Sequence, residues 1–261
     1  MGSTSYHALQ AGVTHRVTHG LTFQGDYSWT KSLSDVQGDA PTGFAIESYY
    51  GYAVSDRFHV SADCGNVEGT PRHRLLATGT YEIPFGSGRV WKVNNRVLDA
   101  ALGGWTLNTV SLFQTGPWLT PTMSPDDDTS GVGIAARGTI ARPDRVPGVS
   151  TIPTHRSAIN YFNINAFTTN TLPGHTENAT VGSLEGPGTM AVAAGIAKEF
   201  SLREGVKMRF ESTFTNVINH ANFAAPATSV SNPSTFGVLT QVQTANDAGN
   251  RSGQVALRIS F

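Results

Sequence analysis

Charged side chains occupy alternate positions in one stretch of the sequence near its carboxyl-terminal third. Lys207, Arg209 and Glu211 are separated from one another by apolar residues. Because side chains alternate between the two faces of a β-strand, these three charges share one face. We expect Arg258, and Asp26 from an early segment, on the same wall. Either this wall contacts a substrate or another domain, or its charges form cross-strand pairs, which the alternating signs favour.

Aromatic residues form a second group of candidates. Tyr49, Tyr50, Trp118 and Tyr161 lie in long segments without strand-like alternation. Exposed rings in such segments can stack on sugars or hold another ligand. They can equally pack the loops on themselves, as compact long loops commonly do. Both interpretations remain open, and these four residues are candidate ligand contacts.

No motif in the sequence indicates metal binding or catalysis. The adjacent acids Asp126–Asp128 lack the spacing of a calcium loop and are typical of a solvated loop tip. The eight histidines form no zinc-binding pattern. Cys64 has no neighbouring histidine context, and the sequence contains no Gly-x-Ser-x-Gly nucleophile turn. We therefore predict a protein with no cofactor, no metal and no enzymatic activity.

The composition favours an all-β protein with much polar surface. Of the 261 residues, 39% are hydrophobic, below the globular average of about 45–50%. The 28 glycines and 13 prolines indicate many turns. A net charge of -1 gives no reason to expect a nucleic-acid partner. The sequence has no stretch typical of a transmembrane helix and no signal peptide at its start.

Seven segments alternate apolar and polar residues with the period of a β-strand. They are Ser5–Arg16, Leu21–Ser32, Arg72–Ile83, Trp105–Thr115, Met190–Phe200, Val206–Thr215 and Gly253–Phe261. Leu76 interrupts the polar face of the third segment. In the fourth, Val110 and Leu112 have the opposite parity to the other apolar residues, which predicts a β-bulge.

The connections between these segments alternate in length along the chain. The shorter ones are Val17–Gly20, Phe85–Gly104 and Ser201–Gly205, and the long ones are Leu33–Pro71, Pro117–Thr189 and Ile218–Ser252. Outer-membrane β-barrels have short periplasmic turns and longer extracellular loops, whereas a soluble sandwich has no reason to gather its long loops at one end. We therefore predict antiparallel transmembrane β-barrel strands with long outer loops, in contact with outer-membrane lipid.

This orientation predicts aromatic girdles at both membrane interfaces. The periplasmic rim would carry Phe85, Trp105, Phe200 and Phe261, and the outer rim Trp29, Phe113 and Phe214. Closed bacterial barrels have an even number of strands, at least eight, and an open edge in lipid leaves backbone groups unpaired. Either further strands precede residue 1, or one long connection contains an eighth strand. We favour the first, so the seven strands are expected to be an incomplete part of a larger barrel.

A second function class remains open at this point. A small self-contained surface barrel or a β-sandwich could act as an adhesion or glycan-binding module. The apolar faces distinguish the two classes, because a soluble sandwich would pack Leu21, Phe23, Val255 and Leu257 in a closed core, whereas a membrane barrel would leave them exposed to lipid.

Seven short motifs occur in a characteristic order along the chain. They are Pro71–Leu75, Tyr81–Gly86, Leu102–Trp105 followed by Gln114–Pro117, Lys198–Leu202, Asn216–Phe223 and Arg258–Phe261. Together they resemble the carboxy-terminal barrel of the Oar-like TonB-dependent outer-membrane receptors. The resemblance implies a barrel of about 22 strands filled by an amino-terminal plug. It also implies substrate uptake across the bacterial outer membrane, driven by the TonB complex through that plug.

On this resemblance, residues 1–261 correspond to the carboxy-terminal part of a receptor barrel, without a plug or a signal peptide. The remainder of the barrel and the plug would then be partners of the chain. Selectivity for the substrate would reside in the outer loops and in the polar face of the strands.

Overall fold

Seven long strands in a single antiparallel sheet account for most of the regular structure. The computed structural model describes residues 3–16, 20–35, 60–86, 89–93, 95–131, 141–169, 172–176, 178–203 and 205–261. In chain order, the strands are β1 (Thr4–Arg16), β2 (Leu21–Ser34), β3 (Gly65–Asn66), β4 (His73–Glu82), β5 (Trp105–Gln114), β6 (Trp118–Leu119), β7 (Asp144–Arg145), β8 (Phe167–Thr168), β9 (Leu184–Glu185), β10 (Thr189–Arg203), β11 (Val206–Thr215) and β12 (Ser252–Ser260). Helix α1 spans Arg96–Leu102, and 3-10 turns span Val60–Asp63, Pro125–Asp127, Ile164–Ala166 and Ala245–Asp247. No helix in the described part of the chain has the length and hydropathy needed to cross a membrane.

The long strands form a meander in the order β1-β2-β4-β5-β10-β11-β12, with the short β3 paired to β2. Each long strand is antiparallel to its neighbours, and β1 and β12 form the two edges of the sheet. All seven predicted strands are present, with ends that differ from the prediction by at most three residues. The pairs β6–β9 and β7–β8 form separate small ladders that the alternation did not reveal.

The register gives the sheet two faces of opposite character. Asp26 pairs with Leu76, Leu76 with Leu112, and Leu112 with Ala191. Directly paired residues lie on the same face of a sheet. We call the face with these four residues the inner face and the opposite one the outer face. Continuing the register through β11 and β12 adds Lys207, Arg209, Glu211, Gln254 and Arg258 to the inner face.

The outer face of the seven strands is apolar and open to its surroundings. Leu21, Phe23, Val255 and Leu257 are between 38% and 65% exposed, so they do not pack in a closed soluble core. Among the residues of these strands, the outer face carries a lysine, arginine or carboxylate only at Lys31, Lys198 and, beyond the register shift in β10, Arg203. A soluble sandwich would bury this surface, whereas a membrane barrel turns it toward lipid.

The bulge predicted in β5 is wrong. This strand pairs without a shift in register with β4 and with β10 as far as Gln114. Val110 and Leu112 therefore face inward as ordinary members of the strand. Leu112 is buried against Leu76, Ala191 and Ala248, and the last of these belongs to the connection before β12. Leu76 and Leu112 thus mark the place where a loop covers the sheet, whereas Val110 is 49% exposed on the inner face.

The connections lie at two distinct ends of the sheet. Residues 17–20, 83–104 and 204–205 join strands at what we call the turn end. Residues 35–72, 115–188 and 216–251 join strands at the loop end. The described parts of 60–72, 115–188 and 216–251 fold together into one unit, which we call the loop body. Its hydrophobic core is separate from the sheet and includes Phe162, Phe167, Leu184 and Phe236.

Candidate functional site

The charged wall near the turn end of the inner face is built from ion pairs. The amine of Lys207 lies 2.9 Å from a carboxylate oxygen of Glu199 on the neighbouring strand. Arg209 pairs with Glu211 two residues along the same strand. Arg258 lies directly opposite Arg209 in the register. Four of the predicted inner-face residues therefore lie together, within a set that also includes Glu199.

Asp26 lies apart from this group. Between its strand, β2, and β11 stand β4, β5 and β10. Its carboxylate accepts a hydrogen bond of 2.9 Å from Nε2 of Gln24. Together with Arg74 it lines an open concavity of about 470 Å³, whose other residues are Gln10, Ala11, Gly12, Tyr27, Ser28 and Leu76. The inner face therefore carries two separate polar regions, each with charges of both signs.

Buried side chains join the three long connections into the loop body. Arg142 donates to Oδ1 of Asp63 at 2.5 Å and to the carbonyl of Ala179 at 2.9 Å. Both charged side chains are nearly inaccessible to water. The ion pair thus links the connection between β2 and β4 to the connection between β5 and β10. The third connection joins through the backbone, where Tyr161 donates to the carbonyl of Gly237 at 2.8 Å.

Two glycines allow the first two connections to touch through their backbones. A Cβ at Gly65 would lie 2.0 Å from the carbonyl oxygen of Val181, and a Cβ at Gly182 would lie 2.1 Å from that of Asn66. Neither position can hold a side chain without displacing the other segment. Asn66 closes the contact by donating from Nδ2 to the carbonyl of Gly182 at 2.8 Å.

The candidate aromatic residues that are described belong to the framework of the loop body. Trp118 lies in β6 with the guanidinium of Arg72 at 4.7 Å from its ring centroid. Tyr161 packs against the core of the loop body, with the guanidinium of Arg156 at 3.5 Å from its ring centroid. Both rings are partly buried. Tyr49 and Tyr50 lie outside the described residues, and ligand contact by these four residues stays a prediction.

Tyr161 is expected to titrate above the usual phenol value of about 10. Burial raises its pKa because it disfavours the phenolate; Arg156 acts in the opposite direction and Glu185 in the same direction as burial. The unfolded state therefore loses this proton first as the pH rises. The stability contributed by Tyr161 is fully present below pH of about 10 and is lost as the pH passes through the folded pKa.

The measurement is a spectrophotometric titration of the protein against its Tyr161→Phe variant. We expect the difference between the two curves to appear above the midpoint of an ordinary phenol. A difference that appears at or below that midpoint would contradict the assignment.

Asparagine side chains fasten the loop body to the loop end of the sheet. Asn222, fully buried, accepts from the amide of Met190 at 2.7 Å and donates to the carbonyls of Met190 and Ala248 at 3.1 and 3.0 Å. Asn216 donates to the carbonyls of His220 and Gly249, each at 2.8 Å. Sequence reasoning missed both roles, although the unusual density of asparagine in residues 216–222 was a usable signal.

Asn222→Ala is expected to loosen this attachment by about 1–3 kcal/mol, because truncation leaves buried backbone groups of β10 without a partner. The measurement is hydrogen exchange at the amide of Met190, which should exchange faster in the variant. Asn165→Ala is the matched control, since Asn165 is exposed in a 3-10 turn of the loop body. Equal exchange rates in both variants would refute the role given to Asn222.

The acidic run Asp126–Asp128 makes hydrogen bonds within its loop, and the cysteine is accessible to solvent. Asp127 accepts from the hydroxyl of Ser231, and Asp128 accepts from the amide of Ser130 at 3.0 Å. Cys64 is exposed. Within the described residues, no group of three or more histidine, cysteine or acidic side chains is placed to hold a metal ion.

Comparison with known families decides between a membrane β-barrel and a soluble β-sandwich. The family model of the outer membrane beta barrel domain matches residues 1–254. The chain belongs to this family. Searches of the curated proteins and of the solved structures gave no match. As an outer-membrane β-barrel domain, the protein lies in the bacterial outer membrane, with its apolar outer face toward lipid and its polar inner face toward the lumen.

The aromatic residues of the outer-membrane barrel fit this placement. Trp105 and Phe200 lie on the outer face near the turn end, and Phe113 and Phe214 lie on it near the loop end. Aromatic girdles of this kind mark the two membrane interfaces. Since long loops of such barrels are extracellular, the loop end faces outward and the turn end faces the periplasm.

Proposed function

We propose that the chain is the carboxy-terminal part of the barrel of an Oar-like TonB-dependent receptor, which takes up a substrate across the outer membrane. The ordered motifs support the receptor type. In the structure, two of them lie where the sheet meets the loop body: Asn216–Phe223 fastens the loop body, and Gln114–Pro117 leads β5 into it. The role is binding and passage of the substrate, without chemistry on it.

One observation carries the proposal of uptake. The loop body lies at the extracellular end and reaches onto the inner face, where Ala248 packs against Leu112 and Ala191. Two residues before Ala191, the hydroxyl of Thr189 donates to the side-chain oxygen of Gln243 at 2.8 Å. A ligand that enters the lumen from outside would therefore pass the loop body before it reaches the charged wall.

The two open edges of the sheet are the reason to propose further strands as partners. β1 and β12 each pair with only one described neighbour. Unpaired backbone groups in lipid cost several kcal/mol each, so a stable barrel needs strands on both edges. The proposal assigns those strands, and a plug that engages the TonB complex, to other parts of the receptor. Outer-membrane lipid is the remaining partner, and no nucleic acid is involved.

The test is an uptake assay in the source bacterium. Strains that lack this gene, that lack TonB, or that carry the restored gene are supplied with labelled ferric siderophore, cobalamin, peptide and oligosaccharide. We expect the first two strains to lose uptake of the same substrate and the restored strain to regain it. Unchanged uptake of all four, together with lost binding of cells to immobilised glycans, would favour an adhesion module instead.

A further inference from the structure

An exposed apolar cluster lies at the periplasmic turn between β4 and β5. Six large apolar side chains of this short segment are between 38% and 76% exposed. They are Phe85, Val90, Trp91, Val97, Leu98 and Leu102. We call this set the rim cluster. Such a contiguous apolar patch usually marks a contact with a protein or a membrane.

Helix α1 carries half of the rim cluster and is capped at its amino end. Oδ1 of Asn95 accepts from the amide of Val97 at 2.9 Å. Leu98 and Leu102 are four residues apart, so they lie on one side of the helix, and Val97 stands beside them. Val97 is 76% exposed. The helix therefore presents an apolar stripe whose three side chains are each at least half exposed.

Two residues of the lipid-facing outer face hold the other end of the helix. The indole of Trp105 donates to the carbonyl of Ala101 at 2.9 Å, and the amine of Lys198 donates to the carbonyl of Ala100. The last carbonyls of a helix lack partners within it, and a cation there is favourable. These contacts also account for the presence of Lys198 on the predominantly apolar outer face. They dock α1 against that face, next to lipid.

The other half of the rim cluster lies near the helix, since Phe85 lines the same concavity as Asp99 and Ala100 of α1. The rings of Phe85 and Trp91 are 4.7 Å apart between centroids. The connection that carries the cluster contains Arg89, Lys92 and Arg96 against the single acid Asp99. Because Arg89 pairs with Glu82 at the end of β4, the connection keeps one net positive charge. Aromatic and basic residues together suit the boundary between acyl chains and phosphate head groups.

We propose that the rim cluster lies in the periplasmic leaflet and binds phospholipid, so that α1 acts as an interfacial anchor beside the barrel wall. Continuity with the outer face selects lipid as the occupant, because Trp105 and Lys198 belong to that face and touch the helix. The net positive charge of the connection matches the phosphates of that leaflet. The inference rests on the membrane location of the barrel and does not depend on the substrate or on TonB.

The test places a label at three matched positions of the complete protein in isolated outer membranes. In a Cys64→Ser background, Val97→Cys probes the rim cluster. Val255→Cys, on the outer face, is the lipid control, and Ile159→Cys, 79% exposed in the loop body, is the aqueous control. Each cysteine carries a polarity-sensitive fluorophore, and its emission maximum and quenching by aqueous iodide are measured.

The label at Val97 is expected to resemble the one at Val255, with emission shifted to shorter wavelength and loss of iodide quenching relative to Ile159. Emission and quenching equal to those at Ile159 would overturn the proposal. The same measurement on the purified complete protein in phospholipid vesicles separates lipid from another protein as the occupant. Shielding that persists there supports lipid, and shielding that disappears refutes it.

Discussion

Leu257→Arg is expected to destabilise the barrel in the membrane by about 2–4 kcal/mol, the cost of a basic residue on the lipid face near the midplane. Leu257 lies near the middle of β12, opposite Phe210 of β11, and its side chain is exposed on the outer face. The guanidinium would lose its hydration there with no carboxylate on that face to receive it. The measurement is urea unfolding of the complete barrel in phospholipid vesicles.

Ala256→Arg is the matched control for this prediction. Ala256 is the adjacent residue of the same strand, faces inward, and lies directly opposite Glu211. An arginine there meets water and a carboxylate, so we expect a change of less than about 1 kcal/mol. Equal losses for the two variants would show that the two faces of β12 do not differ in environment, and would contradict the lipid-facing assignment.

The strands could be predicted from the sequence because their pattern is local. Most outer-face residues are apolar for the same reason, contact with lipid, so the period of two is visible along each strand. The segment Val206–Thr215 shows this most clearly, since prediction and structure agree at both ends. The assignment of strands to a membrane barrel also followed from the sequence, because the order of short and long connections is visible without coordinates.

The predicted bulge is absent because alternation predicts a bulge only where each face of the strand is one uniform environment. The inner face is not uniform, since its part near the loop end is covered by the loop body. Leu112 and Leu76 are apolar there because Ala248 packs against them, and Ala248 lies more than a hundred residues away along the chain. No pattern local to β5 can show such a contact.

The loop body itself could not be predicted, for a related reason. Its core joins residues from separate connections, such as Phe162 and Phe236, which have no common periodicity. Its polar fastenings rely on single side chains, such as Asn222, whose partners are backbone groups and leave no mark in the sequence. The helix α1 was missed because seven residues give too short a pattern, although its stripe of Val97, Leu98 and Leu102 is visible in retrospect.

Asp63→Ala is expected to destabilise the loop body by about 3–5 kcal/mol, the usual cost of removing one partner from a buried ion pair. Arg142 would keep its hydrogen bonds to the carbonyls of Ala62 and Ala179, at 3.2 and 2.9 Å, but would lose its buried counter-charge. The contact between the first two long connections should then open at Gly65 and Gly182, because Gly65 lies two residues after Asp63 and Gly182 three residues after Ala179, which Arg142 binds. Hydrogen exchange of residues 60–66 and 178–182 in the complete protein measures this opening.

Two further variants separate the buried charge from other causes. Asp63→Leu combined with Arg142→Met removes both charges, and we expect it to recover most of the loss, since apolar replacement of a buried pair is often close to neutral. Glu82→Ala breaks the ion pair between Glu82 and Arg89, two side chains that are nearly half accessible to water. This variant should lower the stability by about 1 kcal/mol or less. If Asp63→Ala cost no more than Glu82→Ala, the ion pair would not be what joins the two connections, and their contact would depend on the backbone approach at the two glycines.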